Sequence, residues 1–233
     1  MRHCINLGKQ DERKSMIKKL YRWLYRVTSR PDERGECPGG RWQGAVRENT
    51  LGLCRGIRGK ALEIGCGAGL FAIKLAAQEP VLEVWGVDNN EAMVKKAEAR
   101  AAEKGLNNIH LAVQDAAMLS FDEGFFDAVI CINLFVNMNI DSAALFLKYM
   151  MRVCRPSGRL IFEFRNSRNI FFVLKYKLAR YYDDSAPYPL YAYDPERVEK
   201  VVKGLGLSIV SKKFVGSVFK YFAPIIIIEA RKA

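Results

Sequence analysis

Seven residues, Glu63-Ile64-Gly65-Cys66-Gly67-Ala68-Gly69, and an acid 19 positions later, Asp88, carry the chemistry legible in this chain. Three glycines in alternation let backbone N–H groups approach a ligand where a Cβ would collide. Asp88 closes the apolar run Val81 to Val87, and a carboxylate there can accept both hydroxyls of a ribose. The pair therefore suits a nucleoside-bearing cofactor. A dinucleotide fingerprint needs a third small residue at fixed spacing. Counted from Gly65 that place is Leu70, and counted from Gly67 it is Ala72, inside the following helix. Glu63 adds an acid to an apolar strand, and an unpartnered buried charge is costly. It calls for loop N–H groups or for the ammonium of an amino-acid-like ligand. S-adenosylmethionine (SAM) carries both an ammonium and a ribose.

These residues must be held by a strand, a turn and a helix. Ala61 to Ile64 reads as the strand and Leu70 to Ala76 as the helix. Strand and helix patterns alternate along the chain, which predicts an α/β fold with a mainly parallel sheet. Further strands are expected over Ile109–Val113, Phe126–Cys131 and Leu160–Phe164, with a closing hairpin of Leu207–Val215 and Tyr221–Ala230. Helices are expected from Trp42 to about Arg55, Glu91 to Lys104, Ser142 to Cys154 (ended by Pro156-Ser157-Gly158), Ser167 to Tyr182 and Pro195 to Gly204. Tyr188 to Tyr193 reads as a loop.

The sequence resembles the class I SAM-dependent methyltransferases, from about Trp42 to the C-terminus. Glu63 to Gly69 match the first motif and Asp88 the acid ending the second strand. Asp115-Ala116 follow the third strand, Phe126-Asp127-Ala128-Val129-Ile130-Cys131 match the fourth, and Arg152-Val153-Cys154-Arg155-Pro156-Ser157-Gly158-Arg159-Leu160 resemble the approach to the fifth. The resemblance implies a Rossmann-like seven-stranded sheet in the order 3-2-1-4-5-7-6, with helices on both faces. It implies SAM as cofactor and S-adenosylhomocysteine as product. Glu63, Gly65, Gly67 and Gly69 would then hold the methionine end, Asp88 the ribose, and Asp115 and Ala116 the adenine, with Met93 packed on it and Asn133 at the cofactor's edge; Cys66 and Asn89 would also line the cofactor site. Residues at the substrate mouth would be Trp42, Arg47, Asn137, Arg165 and Asn166.

Methyl transfer from a sulfonium is an in-line displacement, so the protein mainly aligns the reactants and excludes water. Many small-molecule members of the family carry His shortly after the fourth strand; this chain has Val136-Asn137 there. Its two histidines are His3, near the terminus, and His110, beside the third strand and read as structural. A histidine base is not supported. Glu163, Tyr21, Tyr188, Tyr191 or no base at all remain, so the catalytic residue is left unassigned. Cys66 and Cys131 lack a base beside them and read as small buried residues. Six cysteines without Cys-x-x-Cys spacing argue against a metal site and against a disulfide framework.

The chain has 233 residues and a net charge of +12, and residues 1–60 hold 15 Lys/Arg against 6 Asp/Glu. The division expected is a basic amphipathic extension over residues 1–40 (a helix from Asp11 to Val27, a loop from Pro31 to Gly40) and a methyltransferase domain over 41–233. An insert at about 166–193 would cover the acceptor site. No apolar run nears the ~20 residues that span a bilayer, and Met1 to Gly8 lacks the apolar core of a leader. A cytoplasmic enzyme is expected, with peripheral membrane contact through the basic helix. Basic and aromatic residues interleave over Lys14–Arg30 and Arg165–Tyr182, which favours a small or lipid-linked acceptor: a sugar, a quinone precursor or similar. Oxygen is the expected methylated atom. Two rivals stand beside this: an RNA methyltransferase, for which basic–aromatic interleaving is also suitable, and a non-catalytic SAM-binding or partner-binding module.

Overall fold

The computed structural model describes residues 16–24, 42–179 and 189–232. The Pro31–Gly40 loop, His3, Tyr188 and the ends of the Asp11–Val27 helix lie outside them. Residues 16–24 form helix α1. Then follow α2 (Gln43–Cys54), β1 (Gly59–Ile64), α3 (Leu70–Gln78), β2 (Leu82–Asp88), α4 (Glu91–Glu103), β3 (Ile109–Val113), β4 (Phe126–Cys131), α5 (Ile140–Val153), β5 (Cys154–Arg165), α6 (Ile170–Ala179), α7 (Pro195–Gly204), β6 (Leu207–Val215) and β7 (Ile225–Lys232). The seven strands form one sheet in the order β3-β2-β1-β4-β5-β7-β6. All pairs are parallel except those of β7 with β5 and β6. The expected fold is the one observed.

Period-two alternation splits the core across the sheet. Leu62 and Ile64 of β1 join Phe146, Leu147 and Met150 of α5 and Val198 and Val202 of α7 on one face. Ala61 joins Val46 of α2, Phe71 and Leu75 of α3 and Phe172 of α6 on the other. Strand β7, enclosed by β5 and β6, opens with Ile225-Ile226-Ile227-Ile228, all buried. Each buried isoleucine contributes about 1.5–3 kcal/mol. Helix starts follow local chemistry: the Asn90 side chain accepts the Met93 N–H, Asn139 that of Ser142, and Asp194 those of Glu196 and Arg197, with Pro195 in the first turn.

Two breaker segments end differently from the sequence reading. Pro156-Ser157-Gly158 does not separate helix from strand, because β5 already starts at Cys154. The segment is absorbed as a bulge: pairing with β4 slips between Phe126 and Ala128, and Ser157 takes φ 59°. The last strand starts at Ile225 rather than Tyr221. Tyr221 lies in a single turn of 3-10 helix, Lys220–Phe222, and its carbonyl and that of Ala223 are held by the Asn166 amide at 2.9 Å each.

Candidate functional site

β1, β4 and β5 end side by side, and the loops leaving them build the site. The chain leaves β1 through Gly65, Gly67 and Gly69 at φ 76°, 51° and 76°, a region that side-chain-bearing residues pay to enter. The N–H groups of Gly65 and Cys66 both donate to the Val87 carbonyl (2.8 and 3.0 Å), which ties the turn to β2. A Cβ on Gly69 would lie 2.8 Å from that of Ala97, so this glycine serves the packing of α3 on α4. A Cβ on Gly67 would meet nothing within 4 Å. The space above Gly67 is open, as a ligand cradle requires. Arg100 on α4 clamps the turn by donating to the Ala68 carbonyl at 2.9 Å.

Two carboxylates converge on this turn. Asp88 Oδ2 accepts the Gly67 N–H (2.8 Å) and Oδ1 the Asn90 N–H (2.9 Å). Each oxygen keeps a lone pair, enough for a vicinal diol. Glu63 is buried and accepts the Ala72 N–H from the first turn of α3 at 3.0 Å. Burial pushes its carboxyl up to about 8, against the Ala72 N–H and the Arg47 charge, with Asp88 adding to the rise. Such a group is short of positive charge, and a ligand ammonium would supply it. Asn89 is exposed beside Asp88, and Met93 is half-buried in the first turn of α4. Asp115 is exposed and turns the chain after β3 by accepting the Ala117 N–H at 2.8 Å, while Ala116 packs on the core. Asp88 and Glu63 have the spare lone pairs and the unmet negative charge that a ribose diol and an ammonium require.

A second cluster stands where β4 and β5 end. Asn133 takes φ 61° and is exposed. Its N–H donates to Glu163 Oε1 at 2.8 Å. Its Oδ1 accepts from Gln43 of α2 (2.8 Å) and from Arg165 (2.6 Å). With the oxygen doubly engaged, the amide N–H2 is the end left to meet a ligand. Glu163 and Arg165 form a buried ion pair at 2.6 Å, and Arg165 also hydrogen-bonds Tyr176 of α6. One network thus joins α2, β4, β5 and α6.

This network reassigns several residues named from the sequence. Arg165 is buried, with its guanidinium on Glu163, Asn133 and Tyr176. Asn166 is wholly buried; its amide holds two carbonyls and its Oδ1 accepts the Arg168 N–H. Glu163, locked to Arg165, is not a free base. Tyr21 is buried, and the Tyr191 N–H is anchored on Val136 at 2.7 Å. Trp42 is half-buried, edge-on to Phe172 at 5.4 Å and against Gly216, where a Cβ would collide with it. Arg47 stands on the Glu63 side of α2, and Asn137 is exposed in the turn Phe135–Asn137. His110 stacks on Trp85 at 4.5 Å. Burial pushes the thiols of Cys66 and Cys131 up, which keeps both protonated. Gln43, Arg100 and Tyr176 were missed from the sequence: each acts through partners 32 or more residues away or on another element, and no local spacing marks such residues.

Residues 61–158 match a family model described as a methyltransferase domain. The demethylmenaquinone methyltransferase of Geobacillus kaustophilus is 35% identical over 117 residues, covering 49% of each chain. The ubiquinone/menaquinone biosynthesis C-methyltransferase UbiE of Burkholderia mallei is 36% identical over 108 residues, covering 46% of this chain and 43% of that one. The aligned part thus spans about half the length of these curated relatives. Among solved structures, magnesium protoporphyrin IX methyltransferase from Synechocystis PCC 6803, with bound S-adenosylhomocysteine, superposes with a TM-score of 0.66 at 22% identity over 81% of this chain and 83% of that one. That likeness is one of fold.

Proposed function

We propose that this chain is a class I SAM-dependent methyltransferase that binds SAM at the turn after β1 and transfers its methyl group to a small apolar acceptor. The observation that carries this is the convergence of Glu63 and Asp88 on a glycine turn open above Gly67. When bound, SAM supplies a methyl group already activated by a sulfonium. The chain's residues do the rest by placement. Asp88 receives the ribose hydroxyls, Glu63 the ammonium, and Asp115 and Ala116 the adenine, with Met93 beside it. The amide of Asn133 offers a fixed donor at the crevice, because Gln43 and Arg165 hold its other end. The Glu163–Arg165 pair keeps that corner dry and rigid, at no net charge.

The acceptor we propose is a hydroxyarene of the quinone-precursor kind, free or carrying a lipid tail. Among the candidate bases, Glu163 and Tyr21 are buried and engaged, so in this reading the acceptor enters as its phenolate, its hydroxyl proton already lost to solvent, and methylation at carbon releases the ring proton to solvent as the S–CH3 bond breaks. A phenolate shares its charge between oxygen and the adjacent ring carbon, and the same crevice could serve either atom. Oxygen was the expectation from sequence. One curated relative is named a demethylmenaquinone methyltransferase and another a C-methyltransferase of ubiquinone/menaquinone biosynthesis, which supports carbon, and we place the methyl there. The test is incubation with methyl-labelled SAM and a panel of prenylated and unprenylated hydroxyarenes, sugars and RNA, with the product resolved by NMR. A new C–CH3 signal on a hydroxyarene is expected. Label in RNA, or none in any hydroxyarene, would refute the assignment.

A further inference from the structure

The crevice end of the sheet is also where the molecule turns apolar groups outward. β6 enters the loop 216–224 after Val215, and β7 leaves it at Ile225, paired with Arg165 at the end of β5. In that loop Val218, Phe219, Tyr221 and Phe222 are 95%, 74%, 58% and 51% exposed. Ile170 and Phe171, at the start of α6, are exposed as well, and so are Met16, Leu20 and Trp23 on α1. The three segments touch. The Asn169 side chain donates to the Phe222 carbonyl at 2.9 Å, the Arg168 guanidinium lies 4.5 Å over the Tyr221 ring, and Phe171 meets Trp23 at 6.2 Å. Apolar exposure continuous over several elements marks a surface that something else covers.

Charge says what kind of partner fits. Residues 16–24, 170–179 and 216–224 together hold six Lys/Arg and no Asp or Glu. Lys18, Lys19, Arg22, Lys177 and Lys220 are exposed. Arg168 is neutralised by Glu196 and Asp194 and adds no net charge to the rim. Aromatic and aliphatic side chains bordered by cations of one sign match an anionic plane with an apolar interior.

We propose that this surface docks on the anionic face of a lipid bilayer, with Val218 and Phe219 at its tip and the crevice turned toward the lipid. The sequence pointed only to the basic N-terminal helix; the structure joins to it the β6–β7 loop and the start of α6. The proposal does not depend on which acceptor is methylated.

Co-sedimentation of the full chain with vesicles of phosphatidylcholine alone, or with about 30% phosphatidylserine, tests it. Binding to the anionic vesicles is expected to exceed that to the neutral ones by about tenfold and to fall with salt. Val218→Ser with Phe219→Ser should lower it about tenfold, while S-adenosylhomocysteine binding and the thermal melt stay as in the wild type. Because both side chains are exposed, the pair should fold. Equal binding to both vesicles, binding indifferent to the double substitution, or no binding to either would overturn the proposal. So would a dimer in sedimentation velocity that the double substitution dissolves without any vesicle binding, since a second copy would then be the occupant.

Discussion

Asp88 and Glu63 differ in their exposure to solvent. Asp88 is half-exposed and steadied by two backbone N–H groups, with lone pairs to spare. Replacing it with Ala removes hydrogen bonds to a charged group, worth about 1–3 kcal/mol. Calorimetry of S-adenosylhomocysteine binding should show that loss, and an unchanged affinity would refute the ribose role. Glu63 is buried, with its carboxyl raised to about 8. In the unfolded chain it would titrate near ~4.3. Between those values the folded protein holds a proton that the unfolded chain has lost, so stability falls as pH rises through the interval. The slope can reach about 1.4 kcal/mol per pH unit. Glu63→Gln should flatten it in urea melts run from pH 5 to 8. A cationic ligand group would also drive the Glu63 proton off. Binding heats at pH 7 should therefore depend on the buffer's ionisation enthalpy in the wild type and not in Glu63→Gln; equal buffer dependence in the two would remove Glu63 from the ammonium role.

At the scale of elements, the site depends on four that meet at Asn133. Glu163→Gln leaves the Arg165 charge buried without its counter-ion, and losing one partner of such a pair costs about 3–5 kcal/mol. The urea midpoint should drop accordingly and recover in part when Arg165→Met is added. A midpoint unmoved by Glu163→Gln would show that the ion pair contributes nothing to stability. This corner was the least legible in the sequence. Glu63, the glycines and Asp88 could be read because the chemistry lies within one strand–turn–helix–strand unit, and its periodicity is local. β3, β4 and α7 could be read residue for residue for the same reason. Gln43, Glu163, Arg165 and Tyr176 meet only after α2 and α6 fold over one face of the sheet, and their role is fixed by distant partners. Arg165 and Asn166 follow the fifth strand and look like acceptor ligands in one dimension; their hydrogen bonds to Glu163, Asn133 and the carbonyls of Tyr221 and Ala223 are made only in the folded chain. Pro156-Ser157-Gly158 misled for a related reason, since a breaker signal cannot tell a loop from a bulge inside a strand.

Over the whole molecule, the basic extension and the sheet are less separate than composition suggests. α1 buries Tyr21 and Leu24 and sends Trp23 to Phe171 on α6, so we treat it as part of the body that frames the crevice rather than as an appendage. The crevice in turn is built from the ends of strands that hold the core together, and a ligand seated there adds to global stability. For any ligand bound only by the folded state, saturation at a hundred times its Kd adds about 2.7 kcal/mol. In a domain of 150–250 residues each kcal/mol moves Tm by about 2–4 °C, so S-adenosylhomocysteine at that excess should raise Tm by roughly 5–10 °C. Asp88→Ala should lose much of this shift at the same ligand concentration while its ligand-free Tm stays near that of the wild type, because its partners Gly67 and Asn90 lie in solvent-facing turns. If S-adenosylhomocysteine at millimolar concentration leaves Tm where it was, the strand ends hold no such ligand and the assignment of the crevice fails with them.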